Sequence, residues 1–166
     1  TDDASVENAL QCVCAMLYLN YSPKKIAEKL LVLEPVAMRL EVKEGINGCH
    51  IINDTYNSDL NSLGIALNFL DQQSSRKNLS RTLILSDILQ SGQASDELYS
   101  VVAELVKTKD IHKIIGVGDE ISKHADLFTV AEKYFFHDTK DLLQSEQMRG
   151  FRNEIILLKG SRNFHF

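Results

Sequence analysis

A chain of 166 residues, 44% apolar and with a formal net charge of −5, has material for one α/β-sized domain and a fragment of a neighbour, and is too apolar to remain disordered. Its acidic residues are scattered, and its nearest basic cluster, Lys24-Lys25 with Lys29, has the spacing of a solvated helix face, which excludes a stripe for a nucleic-acid backbone. Three cysteines make no paired framework, no apolar run is long enough to span a bilayer, and no signal peptide opens the chain, so a cytoplasmic protein without membrane insertion is expected.

Val6, Ala9, Leu10, Val13 and Leu17 recur at helical spacing over residues 5–20, with Ser5 as N-cap. Cys12 and Cys14 fall in this run and read as small buried apolar groups, because residues two apart on a helix do not face each other. Ser22-Pro23 opens a second helix carrying Ile26, Ala27, Leu30 and Leu31 inward, and Pro35 closes it. Met38, Leu40 and Val42 then alternate with Arg39, Glu41 and Lys43 as in a half-buried strand. Gly45 to Gly48 makes a turn into a second strand, Cys49 to Asn53, antiparallel to the first. Further on, strands at 81–86, 111–117, 133–136 and 154–158 alternate with helices at 60–72, 95–107 (Ser95 as cap), 120–124 and 139–147. Apolar strands separated by helices predict a Rossmann-like α/β fold, a mostly parallel sheet of about six strands with helices on both faces. The boundary is placed at Pro35. Residues 1–35 are a helical tail of a preceding domain, and residues 36–166 form the α/β domain.

Ligands of an open α/β sheet bind beyond the carboxyl ends of its strands. Four polar segments fall there: Asp54-Thr55-Tyr56-Asn57, Ser86-Asp87, Gly116-Val117-Gly118-Asp119 and Lys159-Gly160-Ser161-Arg162. Asp54 and Lys159 are favoured as functional and Asp119 as a helix cap, while Tyr56 fits a packing aromatic and a ligand contact equally. Gly116-Val117-Gly118 is an incomplete dinucleotide fingerprint. No Gly-Lys-Ser or Gly-Lys-Thr loop occurs, so any ATP role must be shared with another domain. No Ser/His/Asp constellation stands out, and Cys49-His50 lacks the second Cys/His pair of a metal site. A non-catalytic α/β module that binds a nucleotide or small molecule, or an interaction domain, remains the alternative.

Taken in order, these segments resemble the C-terminal part of the Mur ligases of peptidoglycan synthesis, in the branch that joins D-alanyl-D-alanine to a UDP-linked muramoyl tripeptide. Glu7-Asn8-Ala9-Leu10 resembles the helix that ends the family's central ATPase domain, and Met38-Arg39-Leu40-Glu41 the strand opening its C-terminal domain. Ile52 to Asn57, with Ser62 beyond, resembles the Asp-Asp-Ser-Tyr-Asn motif. Leu85-Ser86-Asp87-Ile88 with Gly92 and Ser95 resembles the Gly-Asp-Met segment, and Leu158 to Arg162 the Val-Lys-Gly-Ser-Arg ending. The chain departs from the family at Asn57-Ser58-Asp59-Leu60, usually Asn-Ala-Asn-Pro, at Ser86, usually Gly, and at Tyr99, where His is common. The stretch Glu41–Leu63 is similar to the subgroup fused to an alanine racemase, which would follow Arg162 and bring pyridoxal phosphate; no racemase sequence is present here.

The resemblance implies ATP-dependent amide-bond formation. UDP-N-acetylmuramoyl-tripeptide and D-Ala-D-Ala would be the substrates, with the central ATPase domain in cis holding the main ATP and Mg²⁺ sites. It implies Arg39, Asp54 and Asn57 toward ATP, and Asp87, Lys159, Ser161 and Arg162 toward the dipeptide or the peptide carboxylates. The isolated chain is then expected to be inactive.

Overall fold

Strands form where apolar, β-branched residues run together, and helices where apolar residues return every three or four positions. The computed structural model describes residues 3–33, 38–77, 79–89 and 91–166. Pro35 lies outside the described residues, and Ser5, expected as the N-cap, has its backbone inside the first helix, which is already formed at Asp3.

The chain divides into two compact units, Thr1–Val36 and Ala37–Phe166. The first holds α1 (Asp3–Tyr18) and α2 (Pro23–Leu30). Ser22 caps α2 through its hydroxyl, which accepts from the Lys25 N–H at 3.3 Å, and Pro23 starts the first turn. The expected inward face is narrower than its spacing suggests: Ile26 alone of its four residues is buried, while Ala27, Leu30 and Leu31 are exposed. Cys12 and Cys14 are exposed, contrary to expectation, and Cys49 in the second unit is buried. Apolar periodicity marks the face a helix can bury, not whether anything covers it.

The second unit is built on one six-stranded sheet, in the order β1-β2-β6-β3-β4-β5. The strands are β1 (Glu41–Glu44), β2 (His50–Asp54), β3 (Ser80–Ser86), β4 (Lys113–Val117), β5 (Glu132–Phe136) and β6 (Glu154–Lys159). Among the described residues only the β1–β2 pair is antiparallel, and every other pairing is parallel. Around the sheet lie α3 (Leu60–Lys77), α4 (Ser95–Lys107), α5 (Asp119–Lys123) and α6 (Thr139–Gln144).

Period-two alternation sends successive strand residues to opposite faces. Leu83, Leu85, Ile114, Ile155 and Leu157 join Leu63, Leu67, Leu70, Leu98, Val102 and Ile121 of α3, α4 and α5 in one core. Ile84, Ile115, Val117 and Ile156 pack on the other face with Leu142 of α6. Central strands buried on both sides read as unbroken apolar runs, which is why β3, β4 and β6 are recognisable in the sequence.

Several details differ from expectation: α3 runs on to Lys77, and β4 begins at Lys113. Strand β1 starts at Glu41, because Met38 and Leu40 hold left-handed backbone angles of φ 61° and 48° that no strand admits. The N-cap of α4 is Ala94, and the Ser95 hydroxyl instead donates to Glu120 across to α5 at 2.8 Å. The helix expected over 139–147 breaks at Ser145 and resumes as a 3-10 turn, Glu146–Arg149.

Candidate functional site

Parallel pairing brings the ends of β2, β6 and β3 side by side: Asp54 is in register with Lys159, and Lys159 with Leu85. Lys159 is 1% exposed, and its ammonium lies 2.9 Å from Asp54 Oδ2 and donates to the Asn57 carbonyl at 2.6 Å. A buried charge is tolerated only when paired and hydrogen-bonded, as it is here. The second Asp54 oxygen accepts the Leu40 N–H at 3.4 Å, and the Tyr56 N–H reaches the Met38 carbonyl at 3.3 Å. Each left-handed non-glycine residue in the Met38–Leu40 turn costs roughly 1–3 kcal/mol, so these contacts hold a conformation the chain would not choose.

That turn sets Arg39 over the Tyr56 ring, its guanidinium carbon 4.7 Å from the centroid, and Arg162 lies over the same ring at 4.6 Å. Both arginines are exposed, and among the described residues neither has a carboxylate partner. Tyr56 is thus a shared platform for two guanidiniums, an arrangement that offers positive charge to an anion.

The loop then enters α3 through a reciprocal cap. Asp59 Oδ1 accepts the Ser62 N–H at 2.8 Å, and the Ser62 hydroxyl accepts the Asp59 N–H at 3.2 Å. Burial pushes the Asp59 carboxyl upward, but the Ser62 hydrogen bonds and the nearby positive charge of Lys159 outweigh it and hold the group below its ordinary value. Asn57 is exposed and donates to Asp59 Oδ2 at 3.3 Å. The spacing of Asp59 and Ser62 is a cap signal legible in the sequence that the motif comparison passed over. The Ser58 hydroxyl is buried and has no hydrogen-bond partner among the described residues.

On the β3 side, Asp87 has both oxygens engaged inside the protein. Oδ1 accepts the Ile121 N–H at 2.7 Å and the Tyr99 hydroxyl at 3.2 Å, and Oδ2 accepts the Glu120 N–H at 3.2 Å. It caps α5 from another strand, a role expected of Asp119, which instead pairs with His137 at 2.5 Å. Burial, then the negative charge of Asp87, pushes the Tyr99 phenol well above its ordinary value. Gly118 carries φ 134°, and a Cβ there would stand 2.3 Å from the Asp87 carboxyl carbon, so this glycine admits a carboxylate rather than a phosphate. Ser86 bridges to the last segment by accepting the Ser161 N–H at 3.2 Å. The Ser161 hydroxyl accepts the Asn163 N–H at 3.3 Å.

The structure therefore brings Arg39, Asp54, Asn57, Lys159 and Arg162 into one group and joins Ser161 to it through the chain, with Asp87 beyond Ser86. Asp54, Asp87 and Lys159 hold it from within; Arg39, Asn57 and Arg162 face solvent. Among the described residues no group of three or more His, Cys, Asp or Glu is placed to hold a metal ion, and no helix is long and apolar enough to cross a membrane. A cavity of about 740 Å³ lies at the opposite pole, beside Arg81. There the Arg81 guanidinium is taken up by Ser74, Asp71 and the Lys109 carbonyl, so it serves as a staple.

This mostly parallel six-stranded sheet with an antiparallel opening pair has the fold found in solved Mur ligases. In solved structures it matches MurF from Acinetobacter baumannii with a TM-score of 0.79 and 23% identity, covering 99% of this chain and 36% of that one. It also matches the MurF ligase from Thermotoga maritima in complex with ADP, with a TM-score of 0.73 and 18% identity, over 99% and 36%. In sequence it is similar to UDP-N-acetylmuramoyl-tripeptide–D-alanyl-D-alanine ligases. It is 26% identical to that of Bacillus subtilis over 165 residues, 95% of this chain and 35% of the relative. It is 28% identical to that of Buchnera aphidicola from Acyrthosiphon pisum over 163 residues, 96% and 34%. The chain thus spans about a third of the length of the curated relatives it matches. No family model matches it.

Proposed function

We propose that this chain is the C-terminal domain of a cytoplasmic, ATP-dependent ligase that joins D-Ala-D-Ala to UDP-N-acetylmuramoyl-tripeptide, with residues 1–35 the helical end of the preceding ATPase domain. The carrying observation is alignment along 95% of the chain with such a ligase, together with the charged group gathered where β2 and β6 end. In the reaction, a tripeptide carboxylate oxygen attacks the γ-phosphorus of ATP and ADP leaves, giving an acyl phosphate. The dipeptide amine attacks the acyl carbon, loses a proton, and phosphate departs from the tetrahedral intermediate.

The part assigned to this chain is positioning and charge. Arg39, Asp54 and Asn57 form the ATP-facing side, and Arg162 with Ser161 the side facing the dipeptide or the peptide carboxylates. Lys159 supports the first side from inside, through Asp54 and the Asn57 carbonyl, and Asp87 lies behind the second, beyond Ser86. Exposed guanidiniums stabilise charge on phosphoryl or carboxylate oxygens, most strongly once water is excluded by closure. The likeness to these ligases assigns Mg²⁺ to the preceding ATPase domain, and pyridoxal phosphate would enter only with a fused racemase.

Two experiments test this. The chain alone, given ATP, the tripeptide precursor and D-Ala-D-Ala, should release no phosphate, whereas a polypeptide that also carries the ATPase domain should. In that longer protein Arg39→Ala should lower kcat/KM by about tenfold to a thousandfold, since one lost charge-stabilising contact costs roughly 1.4–4 kcal/mol. Arg39→Lys should rescue poorly, an ammonium being no planar fork. Turnover by the isolated chain, or an unaltered rate in Arg39→Ala, contradicts the assignment.

A further inference from the structure

Lys159 places a full charge at the ligand-binding pole of the sheet, yet it is 1% exposed and its ammonium faces Asp54 Oδ2 and the Asn57 carbonyl. The other Asp54 oxygen holds the Leu40 N–H, beside two left-handed residues that flank Arg39. We propose that Lys159 is a positioning residue: its ammonium fixes Asp54, and Asp54 holds the Met38–Leu40 turn that presents Arg39 to an anionic ligand. The inference rests on the ligase reading only for naming that anion as ATP. A ligand contact would require the ammonium to leave both partners and reach solvent, exposing Asp54 to the cost of an unpaired buried charge.

Three measurements test it. First, the native chain is acetylated with an N-hydroxysuccinimide ester, with and without ATP, and lysines are followed by mass spectrometry. Lys159 should react at least about tenfold more slowly than the exposed Lys107, with or without ATP, because only opening of the structure exposes it. Reaction at the Lys107 rate, slowed by ATP, overturns the proposal, and this arm needs no variant to fold.

Second, amide exchange is compared in wild type, Lys159→Arg and Lys159→Gln. The neutral variant should speed exchange at Leu40 and Tyr56 by about tenfold while Leu83 and Ile115 keep their protection, and the cationic variant should restore the wild-type rates. Unchanged exchange at Leu40 in a folded Lys159→Gln protein overturns it.

Third, in the longer polypeptide Lys159→Gln should raise KM for ATP as Arg39→Ala does, and the double variant should be no worse than Arg39→Ala, since residues acting in series do not add. Additive losses mean that Lys159 acts independently of Arg39 and overturn the proposal. If acetylation and exchange behave as stated while neither substitution affects ATP use, the positioning role stands and the ligase reading falls.

Discussion

Gly118 and Asp87 show how one position can be dictated by another far away in the chain. The glycine leaves β4 with φ 134°, and the Asp87 carboxylate fills the space a side chain would need. Gly118→Ala should therefore destabilise by at least about 1–3 kcal/mol from backbone strain alone, with more from the displaced cap. Asp87→Ala should cost about 2–4 kcal/mol, as two α5 N–H groups and the Tyr99 hydroxyl lose their acceptor. Urea unfolding measures both, and a midpoint within error of wild type in either variant refutes the coupling. In the sequence, Gly116-Val117-Gly118 resembles part of a dinucleotide fingerprint; the space at Gly118 is taken by a carboxylate that follows β3, which no local pattern can announce. Asp54 and Lys159 are the opposite case. Polar residues ending apolar strands identify them as neighbours at the ligand pole, and parallel pairing makes them so.

The ends of α4 and α5 meet at His124. Its Nδ1 lies 2.8 Å from the Glu120 carbonyl and its Nε2 2.8 Å from Asp96 Oδ1, so both nitrogens face acceptors, and only the doubly protonated ring can donate to both. The ring also stacks on Tyr99, centroids 4.8 Å apart. The bond to the Glu120 carbonyl, then that to Asp96, raises the His124 pKa. A raised folded value gives stability that is fully present below the ordinary histidine value of about 6.5 and lost as pH rises through the folded one. The stability gap between wild type and His124→Gln should therefore be larger at pH 5.5 than at pH 8.5. Its size is about 1 kcal/mol or less, because Asp96 is solvent-exposed. Melting curves showing a constant gap across that range exclude the clasp. At this scale most elements are legible: α4 spans its expected residues, and β3, β4 and β6 announce themselves by apolar runs. The start of β1 is misread because alternation describes side chains, while the Met38 and Leu40 backbone is set by Asp54 and Tyr56.

The two units differ in self-sufficiency. Ala37–Phe166 has a core on each face of its sheet, whereas Thr1–Val36 leaves Leu10, Leu17, Tyr18, Leu31 and Leu33 exposed. Residues 37–166 expressed alone should fold cooperatively, and residues 1–36 alone should show little helix by circular dichroism: α2 has only 8 residues, α1 with 16 barely exceeds the length of about 12–15 below which isolated helices are marginal in water, and most helical stability comes from tertiary packing, which their exposed apolar residues lack. A non-cooperative melt for 37–166 would refute the first expectation, and a strongly helical 1–36 the second. The position of β6 has a further consequence, for synthesis. The strand that lies between β2 and β3 is the last to be made. Until residues 154–159 emerge from the ribosome, the hairpin β1–β2 and the ladder β3–β4–β5 share no hydrogen bonds, and each presents a bare inner edge to the cell. At ordinary elongation rates that interval lasts on the order of several seconds, long enough for the nascent chain to meet chaperones, and for a stop codon ahead of Glu154 to leave two half-sheets with nothing to join them.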